Sequence, residues 1–172
     1  MRRELRAVGP LLLVTTIALL MVPAAHAGSP WKVGGGWFEM SIPDQMESWV
    51  RRNIIVMHYW GGGGYLYGTF EGKWIHDGMG EWDLVNLDTG IVKVFGVWDT
   101  PDGVTVNGVT GKINVFYWAT ADAATGAFQG QWVIVSGTGD LANLRGHGTM
   151  WSTETDIESG IAWYTIDYHF GP

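Results

Sequence analysis

From about residue 66 to residue 170, apolar or aromatic residues alternate with polar or charged ones at a period of two, and turn residues interrupt the alternation at short intervals. A period of two puts alternate side chains on opposite faces of an extended strand, so it selects strands over helices. Glycine supports the same choice: 26 of 172 residues is about twice the usual share of ~7% and unfavourable for helix interiors. Candidate strands are 34–40, 53–60, 66–76, 80–87, 91–98, 109–119, 127–135, 144–151 and 161–170, with a short piece at 104–106. Asp77-Gly78, Asp88-Thr89-Gly90, Asp102-Gly103 and Asn107-Gly108 fall between them and supply residues that tolerate positive φ. Asn107-Gly108, flanked by Val104, Val106 and Val109, is the clearest hairpin. One helix is predicted, running from Asp44-Gln45-Met46-Glu47, which resembles a capping box after Pro43, to about Arg52. The expected fold is all-β, a sandwich or an up-and-down barrel.

Two strands repeat one pattern. Phe70-Glu71-Gly72-Lys73-Trp74 matches Phe128-Gln129-Gly130-Gln131-Trp132, each preceded by a glycine two residues earlier. Phe, Gly and Trp share one face, and the mid-strand glycine allows the bend that barrel closure requires. The same rule groups Val92, Val94, Gly96 and Trp98 against Lys93, and Tyr164, Ile166, Tyr168 and Phe170 against Asp167 and His169. It also sets Gly146, Gly148 and Met150 against Arg145 and His147, and Trp82 and Leu84 against Glu81 and Asp83. In a water-soluble barrel the charged face meets solvent and the aromatic face the lumen. By that rule Glu81 and Asp83 are expected outside, as solvated charges.

The chain opens with the basic Met1-Arg2-Arg3-Glu4-Leu5-Arg6, continues with an apolar run at 11–22, and reaches Ala25-His26-Ala27. This order predicts a signal peptide over 1–27, cleaved after Ala27. The apolar run is short of the ~20 residues of a spanning helix, so no stable membrane anchor is expected. Arg2-Arg3 leaves the twin-arginine route open beside the general one. The expected layout is 1–27 signal peptide, 28–52 an N-terminal extension with the first strand and a short helix, and 53–172 the rest of one barrel domain. Losing 1–27 removes three arginines and one glutamate and moves the net charge from −7 to −9. That charge repels a nucleic-acid backbone, and an exported, periplasmic or extracellular location follows from the signal peptide.

The segment Ser136-Gly137-Thr138-Gly139-Asp140-Leu141-Ala142-Asn143-Leu144-Arg145-Gly146-His147-Gly148-Thr149 resembles the Gly-Thr-Gly-Glu-Leu-x-x-Leu-Arg-Gly-x-Gly signature of an uncharacterised bacterial family whose domains look like the allene oxide cyclase barrel. Phe70-Glu71-Gly72 and the closing Ile166-Asp167-Tyr168-His169-Phe170 fit the same pattern. The resemblance covers about 34–170. It implies an eight-stranded antiparallel barrel of the calycin type, with plant allene oxide cyclases, dirigent proteins and bacterial spirotetronate cyclases as relatives in architecture. The cyclases' catalytic positions find no match, so no catalytic residue carries over, and fold alone does not confer function.

Most chemical motifs are absent or misplaced. With no cysteine, disulfides, thiolate metal sites and thiol nucleophiles are excluded. Gly137-x-Gly139-x-x-Ala142 has the spacing of a dinucleotide loop, but Gly146 and Gly148 interrupt the helix such a loop needs, so a strand-to-strand connection is expected. His58, His76, His147 and His169 form no helical ligand pair, and neither a metal nor a cofactor is expected. What remains is aromatic: Phe70, Trp74, Trp82, Trp98, Phe128, Trp132, Tyr164 and Tyr168 are the candidate ligand-binding residues of the lumen. The lumen glycines Gly72, Gly130, Gly146 and Gly148 would leave room, and Trp N–H and Tyr O–H groups would orient a ligand. His58, whose strand direction is open, is the candidate polar group inside.

Three functions follow. The first is an exported barrel that binds a small hydrophobic or aromatic molecule. The second is a cofactor-free isomerase or cyclase resembling allene oxide cyclase. The third is an extracellular interaction module whose barrel is filled by side chains. Binding ranks first because the expected lumen is short of acid–base groups; a polar pair inside it would favour the enzyme. Oligomeric state is open.

Overall fold

The computed structural model describes residues 30–40, 43–76 and 78–171; the predicted signal peptide lies outside them. Thirteen strands in one antiparallel sheet account for nearly all of the regular structure. They are β1 (Lys32–Glu39), β2 (Gln45–Arg51), β3 (Ile54–Trp60), β4 (Gly63–Gly68), β5 (Phe70–Ile75), β6 (Glu81–Asn86) and β7 (Ile91–Asp99). The remainder are β8 (Val104–Val106), β9 (Val109–Gly111), β10 (Ile113–Asp122), β11 (Phe128–Gly137), β12 (Leu144–Ser152) and β13 (Ile161–Phe170). A 3-10 turn covers Gly139–Leu141, and helix α1 covers Glu154–Glu158.

Eight strands close the barrel, in the order β7, β10, β11, β12, β13, β1, β4, β5. Closure is made where Ile75 of β5 pairs with Asp99 of β7. Elsewhere along that seam the two strands diverge. The β7 edge from Val92 to Gly96 takes β6, while Phe70–Gly72 of β5 takes β8. Thus a ribbon β6–β3–β2 continues from one side of the seam and the β8–β9 hairpin from the other.

Of the sandwich and the barrel that the strand pattern leaves open, the chain forms the barrel, with the eight antiparallel strands that the resemblance implies. Burial along β5 follows the repeat, with Phe70, Gly72 and Trp74 inside and Glu71 and Lys73 outside. The hairpin at Asn107-Gly108 is present, with φ of 52° and 78°, the double positive φ of a type I′ turn. Strand 66–76 is in fact two: Gly68, at φ 106°, and Thr69 separate β4 from β5, which pair antiparallel from Gly63↔Ile75 to Leu66↔Gly72.

Residues 45–51 are strand β2 and not a helix. They pair with β3 from Gln45↔Trp60 to Arg51↔Ile54 across a turn at Arg52-Asn53, with Arg52 at φ 57°. A capping box is a local preference of fractions of a kcal/mol to a few, and hairpin pairing with Trp49 and Val50 overrides it. Among the described residues the α-helix that forms is α1, where Thr153 and Asp156 make a reciprocal capping box. Thr153-x-x-Asp156 is the sequence signal that marks it.

Along the barrel axis the interior changes character. One end is solid: Val104, Val106, Ile113, Val115, Leu141, Leu144 and Ile166 are each at most 2% exposed. The β8–β9 hairpin and the Gly139–Leu141 turn close that end. Towards the other end the inward positions of β7, β10 and β11 become Val92, Val94, Gly96, Ala119, Ala121 and Gly130, and these small side chains do not meet across the barrel. Gly146 lies in the solid half, where an added Cβ would be 3.0 Å from Ile166 Cδ1 and 3.1 Å from Tyr168 Cβ. Gly146→Val is expected to cost about 1–3 kcal/mol by overpacking. An unchanged melting temperature would contradict its inward placement.

Candidate functional site

The open half of the barrel encloses a cavity of about 530 Å³, within the range of small-molecule sites. Its floor is an aromatic layer. Trp132 lies 5.9 Å from Phe70, 6.5 Å from Trp98 and 6.0 Å from Tyr164, and Trp74 lies 6.2 Å from Trp98, centroid to centroid. Phe128 lines the wall above, and Phe38, Met40, Asp122, Gly126 and Ile157 line its outer part. The two tryptophans of the repeat thus reach one interior layer, as their equivalent positions predict.

The polar handles of this layer are already engaged. Trp74 Nε1 donates to Glu39 O at 3.2 Å and Trp132 Nε1 to Thr149 O at 3.3 Å. The Tyr164 hydroxyl accepts from Phe70 N at 3.0 Å and donates to Tyr67 O at 3.2 Å. These three side chains line the cavity and keep their hydrogen bonds within the barrel wall.

Hydrogen-bonding capacity comes from a cluster the alternation places on the wrong face. Glu81 and Asp83 point into the cavity, and Trp82 points out, stacked on His58 at 3.9 Å and edge-on to Trp49 at 6.0 Å. The reason is register. Glu81 pairs with Gly96, Asp83 with Val94 and Val85 with Val92, and directly opposed residues share a face. Because Val92, Val94 and Trp98 face inward, the carboxylates do too. His58, on the neighbouring strand, faces out with Trp82, and its Nε2 lies 2.9 Å from Met79 O. It is not a lumen group. Tyr168 is interior but sits in the solid half, bonded to Asn107 Nδ2 at 2.6 Å. Phe70, Trp74, Trp98, Phe128, Trp132 and Tyr164 line the cavity; Trp82 and Tyr168 do not.

Around Glu81 the polar groups converge. Tyr117 pairs with Gly96 on the opposite edge of β7, so Glu81, Gly96 and Tyr117 form one row on the lumen side. The Tyr117 hydroxyl crosses over Gly96, donates to Glu81 Oε2 and lies 3.0 Å from His76 Nε2. A Cβ at residue 96 would come 2.6 Å from that hydroxyl, so the glycine makes the contact available. His76 Nε2 is 3.8 Å from Glu81 Oε2. Asp83 Oδ1 is buried and has no hydrogen-bond partner among the described residues.

Burial governs the titration of all four. Desolvation, followed by the Glu81 charge, pushes Asp83 up to about 8. Desolvation also raises Glu81, against the Tyr117 hydrogen bond, which favours its ionised form. His76 is driven down to about 4 by burial and is neutral at physiological pH. Tyr117 is held well above its ordinary range by burial and then by Glu81. Two carboxyls of unequal surroundings, only one of them accepting from the tyrosine hydroxyl, thus line one apolar cavity. Among the described residues no group of three His, Cys, Asp or Glu is placed to hold a metal ion.

No protein-family model matches the chain, and no curated protein matches its sequence.

Proposed function

We propose that the open half of the barrel binds a small, predominantly apolar molecule. The observation that carries this reading is the cavity of about 530 Å³ with aromatic and aliphatic walls and one convergent polar cluster. Half the barrel is hollow, which favours binding over an interaction module with a filled core. No lysine or arginine is among its described lining residues, while Glu81, Asp83 and Asp122 are. An anionic head group would find no partner there, so the ligand is neutral or cationic.

N-phenylnaphthylamine, an uncharged fluorescent probe, is expected to bind with saturation and to quench tryptophan emission; anilinonaphthalene sulfonate, an anion of similar size, is expected to bind far more weakly. Ala119→Phe would fill the cavity from β10 and abolish the signal. Folded protein that leaves the neutral probe free in solution would overturn the reading. We also propose export through the signal peptide at 1–27, placing this binding outside the cytoplasm. Intact mass of protein from the native host is expected to begin at Gly28, and retention of Met1 would contradict it.

The cofactor-free isomerase or cyclase is the second reading, and one observation favours it: the Glu81–Tyr117–His76 cluster with Asp83 inside the lumen.

A further inference from the structure

We propose that the open half of the lumen is a proton-transfer site for a neutral carbonyl compound, in which Glu81 acts as base, Asp83 as acid, and Tyr117 and His76 position Glu81. The proposal rests on the lumen-binding reading above and adds to it a substrate class and a reaction.

The geometry carries it in three steps. Glu81 and Asp83 stand two residues apart on β6 and both line the cavity, so two reacting groups on one small molecule can be reached from one strand. Like charges so placed in an apolar wall do not both ionise at neutral pH, and the pair keeps a proton. The surroundings then decide where it sits. Glu81 receives the Tyr117 hydrogen bond, which favours its carboxylate, whereas Asp83 Oδ1, without a partner among the described residues, belongs to the group that retains the proton. A protonated carboxyl in an apolar site is a strong hydrogen-bond donor to a developing enolate oxygen. The absence of cations from the described lining suits a neutral substrate.

In the reaction, the Glu81 carboxylate removes a proton from the carbon beside the substrate carbonyl. The C–H electrons form a carbon–carbon double bond and the carbonyl π electrons move to oxygen, which the Asp83 carboxyl stabilises by its hydrogen bond. Glu81 returns the proton to the same carbon, or to the far end of a conjugated system. Return to the same carbon exchanges its hydrogen; return to the far one shifts a double bond. Both carboxyls end as they began, and no oxidant, reductant or co-substrate is consumed.

The titratable groups that face the pair are Tyr59 from β3, His76 just after β5, Tyr117 from β10 with Asp122 at the mouth, and Tyr164 from β13. With His76 neutral above about pH 4 and the tyrosines raised, the carboxyl pair sets both limbs of the pH profile. Activity rises as Glu81 ionises and falls near pH 8 as Asp83 loses its proton.

β-Tetralone, an apolar aryl ketone, tests this in deuterium oxide, with proton NMR following exchange at the carbons flanking the carbonyl. Displacement of N-phenylnaphthylamine reports binding separately. Wild type is expected to accelerate exchange with saturation and to be inhibited by the probe. Glu81→Gln is expected to lose about 100-fold or more and Asp83→Asn about 100-fold, with probe binding retained in both. Tyr117→Phe, a change at a positioning residue, is expected to move the acid limb to higher pH. If β-tetralone displaces the probe but exchanges no faster with wild type than with Glu81→Gln, proton transfer is overturned and binding stands. If it fails to displace a probe that does bind, the carbonyl assignment is overturned. If the probe itself does not bind, both readings fall together.

Discussion

Asp83→Asn is expected to stabilise the protein at pH 8.5 by on the order of 2–4 kcal/mol and to flatten its pH dependence. In the folded chain Asp83 titrates near 8 against an ordinary value of 3.8, so the native state holds a proton that the unfolded chain has released. Stability therefore falls as pH rises between those two values, by about 1.4 kcal/mol per unit per group. His76 opposes this below 6.5, because its depressed folded value of about 4 makes the unfolded chain the better proton acceptor there. The Asp83 slope is exposed from pH 6.5 to 8, where it amounts to roughly 2 kcal/mol. Asparagine keeps the polar burial and removes the charge, which is why the gain is smaller than the full shift would suggest. Urea denaturation at a series of pH values measures it. Parallel curves for wild type and variant between pH 6.5 and 8 would mean that Asp83 is solvated. A residue whose replacement stabilises the fold is common at a working site.

Trp132→Ala is expected to lower stability by about 3–5 kcal/mol, and Trp74→Ala by a similar amount. Both side chains are nearly buried, at 4% and 6% exposure. Trp132 meets Phe70, Trp98 and Tyr164, and Trp74 meets Phe38, Trp98 and His76. Each also satisfies a strand carbonyl through its indole N–H, which alanine would leave without that donor. The contrast between a plug and a cavity lining resolves as a partition. These rings are packed core towards the solid half and bare wall towards the hollow half. Denaturant titrations of both variants, with probe binding measured alongside, check the two faces together. A loss below about 1 kcal/mol would show that the layer is not part of the core.

Much of this architecture is legible in the amino-acid order. Alternation identifies the inward residues of β5, β7, β11, β12 and β13, because those strands are ring members with one face to the core and one to water. Asn107-Gly108 announces its hairpin because two successive positive φ angles leave few other residues suitable. The failures have a common cause. In β2 a capping pattern competes with strand pairing, and what decides is the pairing of the whole segment with β3, from Gln45↔Trp60 to Arg51↔Ile54. In 66–76 the reversal at Gly68 depends on β4 finding β5 and β1 as neighbours.

The candidate site shows the division most sharply. That Glu81 and Asp83 share a face, and Trp82 the opposite one, follows from the order of residues alone, because successive side chains of a strand point to opposite sides. Which of the two faces is inside does not follow. Hydrophobicity assigns Trp82 to the lumen, and for an isolated strand that assignment is the cheaper one. Tertiary structure reverses it. Pairing with β7 commits the Glu81 face to the lumen beside Val92, Val94 and Gly96, and β3 packs His58 over Trp82 outside. A shift of one residue in that register would return both carboxylates to solvent. The face on which the carboxyl pair lies is therefore a property of the assembled sheet, while its composition is a property of the chain.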